Sequence, residues 1–451
     1  MNRKESTWIV RVADEVADCT RKGKSLIVSV PGWRDVTLTP QSKGLAEALV
    51  SLRGPGASFD ALSAGLSEAG RQELLFLLER LERARLLEWA VLEEGQEIAC
   101  LKSLSAAFHL DYGSRETAPL RLSRFAYLRR LPVVEEGDQA VLESGASRAR
   151  MILQPRAAER LAALTAAACP ASAHAIFDLA RRAGLAESLE QEEPEARRSW
   201  EFHDRLFHEV SRGCRETDPF GGTYRMTGIV ASPPAVVALS NGPRVALPSP
   251  SLQESQPLDQ ILAHRRSNRR YADEPIDLQQ ISDLLYRSLR TKSLHKSEPQ
   301  DLIRRPYPSG GSLHELQFYL AVGCCKDLES GLYRYSGEEH ALIPCGCDSP
   351  QLEKLLARSG SAMGKADDWP QILLIVTTRH PRMAWKYEAM AYRASLMNVG
   401  VVFQTLYLVA TDLGLAACAN GGGNSRGFEE ASGLDPWEET AVGEFALGRA
   451  A

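Results

Sequence analysis

Between Tyr392 and Leu413 the apolar residues Leu396, Val399, Phe403, Leu406 and Val409 recur three and four positions apart. That is the period of a helix with one buried face. Small and apolar residues fill much of the remainder, which predicts burial on more than one side. Gly414 follows where a helix commonly ends in a left-handed residue. A short apolar run, Leu415 to Cys418, then leads to Gly421, Gly422 and Gly423, where a backbone without side chains can approach a ligand closely. Just upstream, Lys386 and Tyr387 set an amine beside a phenol at the edge of the apolar helix.

The N-terminal pattern is different. WIVRV, SLIVSV and VTLTP alternate apolar and polar positions, broken at Gly23 and Pro31-Gly32, and predict short strands. Helical spacing follows over 42–52, 58–66 and 70–87, and then WAVLEE and EIACLKSL form a candidate hairpin. Strands, short helices and a closing hairpin make a winged-helix pattern. Its last helix interleaves Glu79, Glu82 and Glu88 with Arg80, Arg83 and Arg85, without the basic stripe that nucleic-acid binding needs. Peptide binding or an architectural role is the expectation. A second unit of the same kind follows, with strands in LRLSRFAYLRRL and QAVLESG and helices on either side of Pro170. In WEFHDRLFHEVSR, His203 and His208 are five apart, a spacing that does not favour a helical metal pair, and no metal is expected. Residues 229–257 are rich in proline and serine and predict an extended connector.

Beyond the connector, a helix in PLDQILAHRR runs into Arg265, Arg266, Arg269 and Arg270, with Ser267 among them. Guanidinium forks beside a hydroxyl suit a phosphate monoester, although residue type alone also describes a solvated basic patch. Pro308, Ser309, Gly310 and Gly311 precede the strand FYLAV and leave room for a flat ring or a phosphate-bearing tail. No GxGxxG follows a strand and no GxxxxGK[ST] occurs, so neither a dinucleotide fingerprint nor a P-loop is supported.

Composition narrows the partners. The chain of 451 residues has 53 basic and 58 acidic side chains, a net charge of −5, which argues against nucleic acid held by bulk charge. No uninterrupted apolar run reaches the length of a membrane span, and MNRKESTW has no signal-peptide core, so the cytoplasm is the expected compartment. Nine cysteines, including Cys324, Cys325, Cys345 and Cys347, show no zinc spacing and read as thiols of a reducing compartment.

The order of RRSNRRYADEPI, YPSGGSLHELQFYLAV, GLYRYSGEEHAL, the Lys386–Tyr387 pair and LGLAACANGGG resembles the flavin-dependent nitroreductase fold. More narrowly, the chain resembles the SagB-type azoline dehydrogenases, with cyanobactin oxidases nearest in architecture. The resemblance covers about residues 195–451 by motif and the first 195 by pattern alone. It implies an α+β chain of four parts: a winged-helix-like peptide- or partner-binding domain over 1–104, and a second such domain with its connecting helix over 105–228. A linker over 229–257 and a nitroreductase-like FMN oxidase domain over 258–451, a mixed sheet flanked by helices, complete it. It also implies that Arg265, Arg266, Ser267 and Arg269 hold the FMN phosphate and ribityl chain, with Arg449 as a late basic residue on the phosphate. Pro308, Ser309 and Gly310 would approach the flavin ring across a homodimer interface, and Gly421 and Gly422 would lie beside the ring. Lys386 and Tyr387 match the pair to which base function is assigned.

The implied reaction is oxidation of peptide thiazolines or oxazolines to thiazoles or oxazoles. The expected partners are an azoline-containing precursor peptide and the cyclodehydratase that makes it. Aromatisation removes a proton from one ring carbon and a hydride from the next, which calls for a positioned base and a hydride acceptor. Two other readings fit the residues. One is a nicotinamide-driven FMN nitroreductase or quinone reductase, in which Lys386 and Tyr387 are incidental. The other is a leader-peptide-binding scaffold without catalysis.

Overall fold

The computed structural model describes residues 6–451 except 14–17, 24, 30–34, 114–117, 132–138, 167–168, 171–173, 239–241, 252–253 and 365–367. The expected break at Pro31-Gly32 lies outside the described residues. The chain divides into two compact units, Met1–Pro219 and Phe220–Ala451.

The first unit contains β1 (Ser6–Val12), β2 (Asp18–Lys22), β3 (Ser25–Ser29), β4 (Val36–Leu38), α1 (Leu45–Val50), α2 (Phe59–Ser63) and α3 (Glu68–Arg83). Then come β5 (Leu87–Glu93), β6 (Gln96–Ser103), β7 (Pro119–Leu122), β8 (Ala126–Leu131), β9 (Gln139–Ser144), β10 (Ala149–Leu153) and α4 (Pro155–Ala166). The unit closes with β11 (Cys169–Pro170), α5 (Ala175–Arg182), β12 (Ala186–Ser188), α6 (Glu195–Arg198) and α7 (Phe202–Ser211). Ser67 caps α3 by accepting from the Gly70 amide at 3.2 Å, and Leu74, Leu77, Leu78 and Leu81 form its buried stripe. The main sheet runs β1-β5-β6-β10-β9-β8. Strands on both sides of residue 104 therefore belong to it, since β6 pairs with β10 from Ala99↔Leu153 to Ser103↔Ala149. One hydrophobic core extends from Val10 to Ala186, so the expected boundary at 104/105 falls inside a continuous sheet and core.

The second unit contains β13 (Val245–Ala246), α8 (Leu258–His264), α9 (Leu278–Leu289), β14 (Ser293–His295), β15 (Leu302–Arg304), β16 (Leu316–Val322), β17 (Gly331–Ser336) and β18 (Ala341–Pro344). It continues with α10 (Ser349–Ala362), β19 (Ile372–Thr378), α11 (His380–Lys386), α12 (Ala391–Asp412), β20 (Leu415–Asn420), α13 (Ser425–Ser432) and β21 (Thr440–Arg449). Seven strands lie in the order β13-β18-β17-β16-β19-β21-β20. The expectation of a mixed sheet is corrected: every described pairing in it is antiparallel. Strands β16 to β18 meander through short turns, and β21 returns between β19 and β20, so no parallel crossover forms.

Both faces of this sheet are covered, and its central strands alternate between two cores. Leu316, Phe318, Leu320 and Val322 meet α9 and α12 on one face. Tyr319 and Ala321 meet α10 and α13 on the other. Helix α12 buries Asn398, Val399, Val402, Leu406 and Ala410 and ends before Gly414 at φ +69°. By length and a mean hydropathy of 1.4 it could cross a membrane, but this buried side is part of the domain core.

The proline-rich stretch expected as a connector is also corrected. Val245 and Ala246 add a strand to the seven-stranded sheet, and Ser251 bonds Asp283 through its amide at 2.7 Å. Proline segments have few N–H groups but keep their carbonyls, and here donors of α11 and of Arg379 just before it take those carbonyls. Trp385 Nε1 donates to Val230 O, an Arg382 guanidinium N–H to Pro233 O, and one from Arg379 to Pro234 O, each at 2.8 Å.

Candidate active site

Helix α11 carries a proline in its first turn and ends at Lys386, and the Tyr387 amide closes it on Met383 O at 2.8 Å. Arg382, Met383 and Trp385 are buried, while Lys386 and Tyr387 are half-buried at its end. Loop 307–315 rises against this pair. Gly311 lies at φ +61°, and a Cβ there would stand 2.5 Å from Tyr387 Oη and 3.0 Å from Lys386 Nζ. No side chain fits, so glycine is required by both the backbone angle and the contact. The structure thus brings the PSGG element directly against the lysine–tyrosine pair.

A buried polar network holds that loop. The Asn398 side-chain amide donates to Ser309 Oγ and Glu315 Oε1, both at 3.1 Å, and its oxygen accepts from the Gly310 amide at 3.2 Å. Ser309 Oγ also accepts from the His314 amide at 3.1 Å and donates to Glu315 Oε2 at 3.3 Å. The Ser309 hydroxyl is therefore engaged within its own loop, and Pro308 is exposed at its rim. Arg382, fully buried, donates to Leu313 O at 2.8 Å and to Asp301 O at 2.5 Å. Burial, then repulsion from Arg379, pushes its guanidinium down to about 10. Burial followed by Arg305 and Arg382 pushes His314 down to about 3, so a neutral imidazole stacks edge-on against Tyr307.

The arginine segment lies elsewhere on the same unit. Arg265 sits 5.2 Å over the Tyr407 ring, and Ser267 Oγ is 2.9 Å from Tyr407 Oη, which also accepts from the Ala419 amide at 2.7 Å. The Asn268 amide donates to Ala417 O at 2.9 Å, laying the segment along edge strand β20 toward Gly421. Gly421 has open space at its Cβ position, whereas Gly422 has Ala362 at 3.3 Å. Arg266 and Arg269 are exposed and make no ion pair among the described residues. Arg449 extends from the end of β21 and pairs with Glu274 at 2.9 Å. Tyr271 packs on Gly448 and buries a hydroxyl that has no hydrogen-bond partner among the described residues.

These two groups do not meet within one chain. Asn398, under the loop, and Tyr407, under the arginines, are nine residues apart on α12. At 1.5 Å and 100° per residue they differ by roughly 14 Å along the helix and about half a turn around it. The sequence pointed to Gly311 within the PSGG element, but residue-by-residue reading missed Glu315, Asn398 and Tyr407. The polar Asn398 inside an apolar helical stripe was the one signal that could have marked the network.

The nitroreductase family model matches residues 262–449, and that of the cyanobactin oxidase ThcOx matches residues 120–217. MJ1384 of Methanocaldococcus jannaschii, named as a nitroreductase, is 27% identical over 180 residues, 40% of this chain and 85% of that protein. The trifolitoxin-processing protein TfxB of Rhizobium leguminosarum bv. trifolii is 28% identical over 37% of this chain and 45% of its own. The microcin B17-processing protein McbC of Escherichia coli is 31% identical over 25% of this chain and 42% of its own. The chain thus spans less than half the length of the two processing proteins. Its C-terminal unit is a domain of the FMN-dependent nitroreductase family, a family of oxidoreductases. The chain joins that domain to a cyanobactin-oxidase segment in its N-terminal unit. The residues present fit FMN, because unpaired guanidiniums, the Ser267 hydroxyl and an open glycine lie along one strand edge.

Proposed function

We propose that this protein oxidises thiazolines or oxazolines in a ribosomally made peptide to the aromatic azoles. The observation that carries this reading is the contact of Gly311 with Lys386 Nζ and Tyr387 Oη, which seats a candidate base in a built site. Lys386, as the free amine, would take the ring-carbon proton, and Tyr387 would orient it through its adjacent phenol. Gly311, having no side chain, lets the loop backbone close directly on the pair. Arg266, Arg269 and Ser267, with Arg265 stacked on Tyr407, would hold the cofactor phosphate. Arg449 is a weaker candidate, since Glu274 already pairs with it. Pro308, Ser309, Gly310, Gly421 and Gly422 would bound the ring. When bound, FMN supplies the acceptor for the hydride that leaves the neighbouring ring carbon.

The separation of the two groups along α12 supports a homodimer in which each site draws on both chains. A stripe on the outer side of α12, with Tyr392, Leu396, Met397 and Gly400 exposed, supplies an apolar face for such pairing, Met397 at 60% exposure. In the N-terminal unit, α3 followed by the β5–β6 hairpin has the helix-then-wing order. Its Arg83 is paired with Glu79 at 2.6 Å, and Glu82 is buried, which supports a peptide or the cyclodehydratase as partner over nucleic acid.

The test is incubation of the FMN-loaded protein with a cyclodehydrated peptide, read by mass. Loss of two hydrogens per ring is expected. Absence of that loss, with nicotinamide consumed in the absence of peptide, would replace this reading with a reductase.

A further inference from the structure

Between the stretches matched by the two families lies a segment that neither covers, and part of it reaches the candidate base. Residues 221–224 run beside the end of α11 as a strap. Gly221 and Glu388 exchange both backbone hydrogen bonds, at 3.2 and 2.9 Å, and the Tyr224 amide donates to Lys386 O at 3.0 Å. Thr223 Oγ1 donates to Glu388 Oε2 at 2.9 Å, which engages the carboxylate nearest in sequence to the lysine. Gly222 brings its backbone against the pair: a Cβ there would lie 3.8 Å from Lys386 Cε and 3.9 Å from Tyr387 Cε1.

At the end of the strap the Tyr224 ring packs edge-on against Trp385 at 6.0 Å between centroids. The Lys386 ammonium lies 5.5 Å from the Tyr224 ring centroid and 5.2 Å from that of Tyr387. Two aromatic rings therefore flank the lysine from different parts of the chain, within the range of cation–π attraction. Tyr224 also sits at φ +54°, a left-handed conformation that costs a non-glycine residue energy and persists where the surroundings enforce it. Its amide bond to Lys386 O and its packing on Trp385 supply that enforcement.

We propose that Tyr224 is a positioning residue for Lys386, holding its amine in place beside Gly311 and the Tyr387 phenol. The proposal rests on the reading of Lys386 as the base. A lysine has four rotatable side-chain bonds, and contact with the Tyr224 and Tyr387 rings restricts where its amine can sit.

The experiment uses the full-length, FMN-loaded protein with cyclodehydrated peptide, and adds a spectroscopic arm that needs no turnover. Tyr224→Leu is expected to lower kcat by about ten- to a hundredfold, with flavin content, dithionite reduction of the flavin and KM retained. Tyr224→Phe should restore turnover to within about threefold, because phenylalanine keeps the ring face. In a Lys386→Ala background Tyr224→Leu should cause no further loss, since its effect passes through the lysine. Reductive methylation with 13C-formaldehyde labels Lys386, assigned by the resonance missing in Lys386→Arg. That resonance should move in Tyr224→Leu and stay in Tyr224→Phe.

Unchanged turnover in Tyr224→Leu, an additive loss in the Lys386→Ala background, or an unmoved lysine resonance would overturn the proposal. So would joint loss of flavin and activity in both tyrosine variants, which would make Tyr224 structural. If Lys386→Ala itself kept normal turnover, the base assignment would fail, and the resonance would still report whether Tyr224 faces the lysine.

Discussion

Two regions of the C-terminal unit contrast in how their polar groups are used. Around loop 307–315 and α11, Glu315, Asn398 and Arg382 are buried and bonded to one another or to backbone. Around residues 265–271, Arg266 and Arg269 reach solvent without ion-pair partners among the described residues. The first region is complete before anything binds, whereas the second keeps free donors, as the proposed phosphate site requires. Geometry for proton transfer must be held within fractions of an ångström, so burial and cross-bonding are useful there. A phosphate brings its own charge and acceptors, so its site needs free donors more than a rigid frame.

The sharpest way to break this contrast is at the amine. Lys386→Ala should lower azoline turnover by about a hundred- to ten-thousandfold while FMN content and dithionite reduction of the flavin stay normal. Retained turnover would remove the proton-transfer role from the prebuilt region. Gly311→Ala comes next. Its methyl would overlap Tyr387 Oη at 2.5 Å and strain a φ of +61°, so displacement of the pair should cost roughly a hundredfold in kcat. Kinetics of that variant with its flavin retained would distinguish displacement from misfolding.

Asn398→Ala tests whether the network itself is needed. It strips donors from Glu315 and Ser309 and an acceptor from the Gly310 amide, and should destabilise the protein by about 1–3 kcal/mol in denaturant unfolding. On the other side of the comparison, Arg266→Ala or Arg269→Ala should each weaken FMN binding by about tenfold with little change in melting temperature of the FMN-free protein. A large fall in that temperature would mean that these arginines also support the fold.

The smallest effect is in pH dependence. His314 is held near 3 when folded, by burial and by Arg305 and Arg382, against about 6.5 unfolded. Between those values the unfolded chain binds the extra proton. Stability is therefore full above about pH 6.5 and declines as pH falls toward 3. His314→Asn, which tolerates the residue's φ of +46°, should reduce the loss between pH 7 and 5 by on the order of 1 kcal/mol. Parallel pH profiles of melting for the two proteins would exclude this contribution.

Elements that depend on near neighbours in sequence were legible from the chain alone. The spacing of Val399, Leu406 and their companions specified α12, and Gly414 specified its end, because a helix buries a face every three or four residues. The leucines of α3 and the apolar run of β16 were readable for the same reason. The chemical types at the site, from the arginine–serine segment to the lysine–tyrosine pair, also stood in the sequence. Their grouping did not. Periodicity reports which side of an element is buried and carries no information on what distant segment covers it. Only the folded chain decides that Gly311 meets Tyr387, that Asn398 ties Ser309 to Glu315, and that Tyr224 flanks a lysine far along the chain. Only the fold, likewise, joins β6 to β10 and ties a proline-rich connector down, by supplying donors of α11 to carbonyls that the local sequence leaves unpaired.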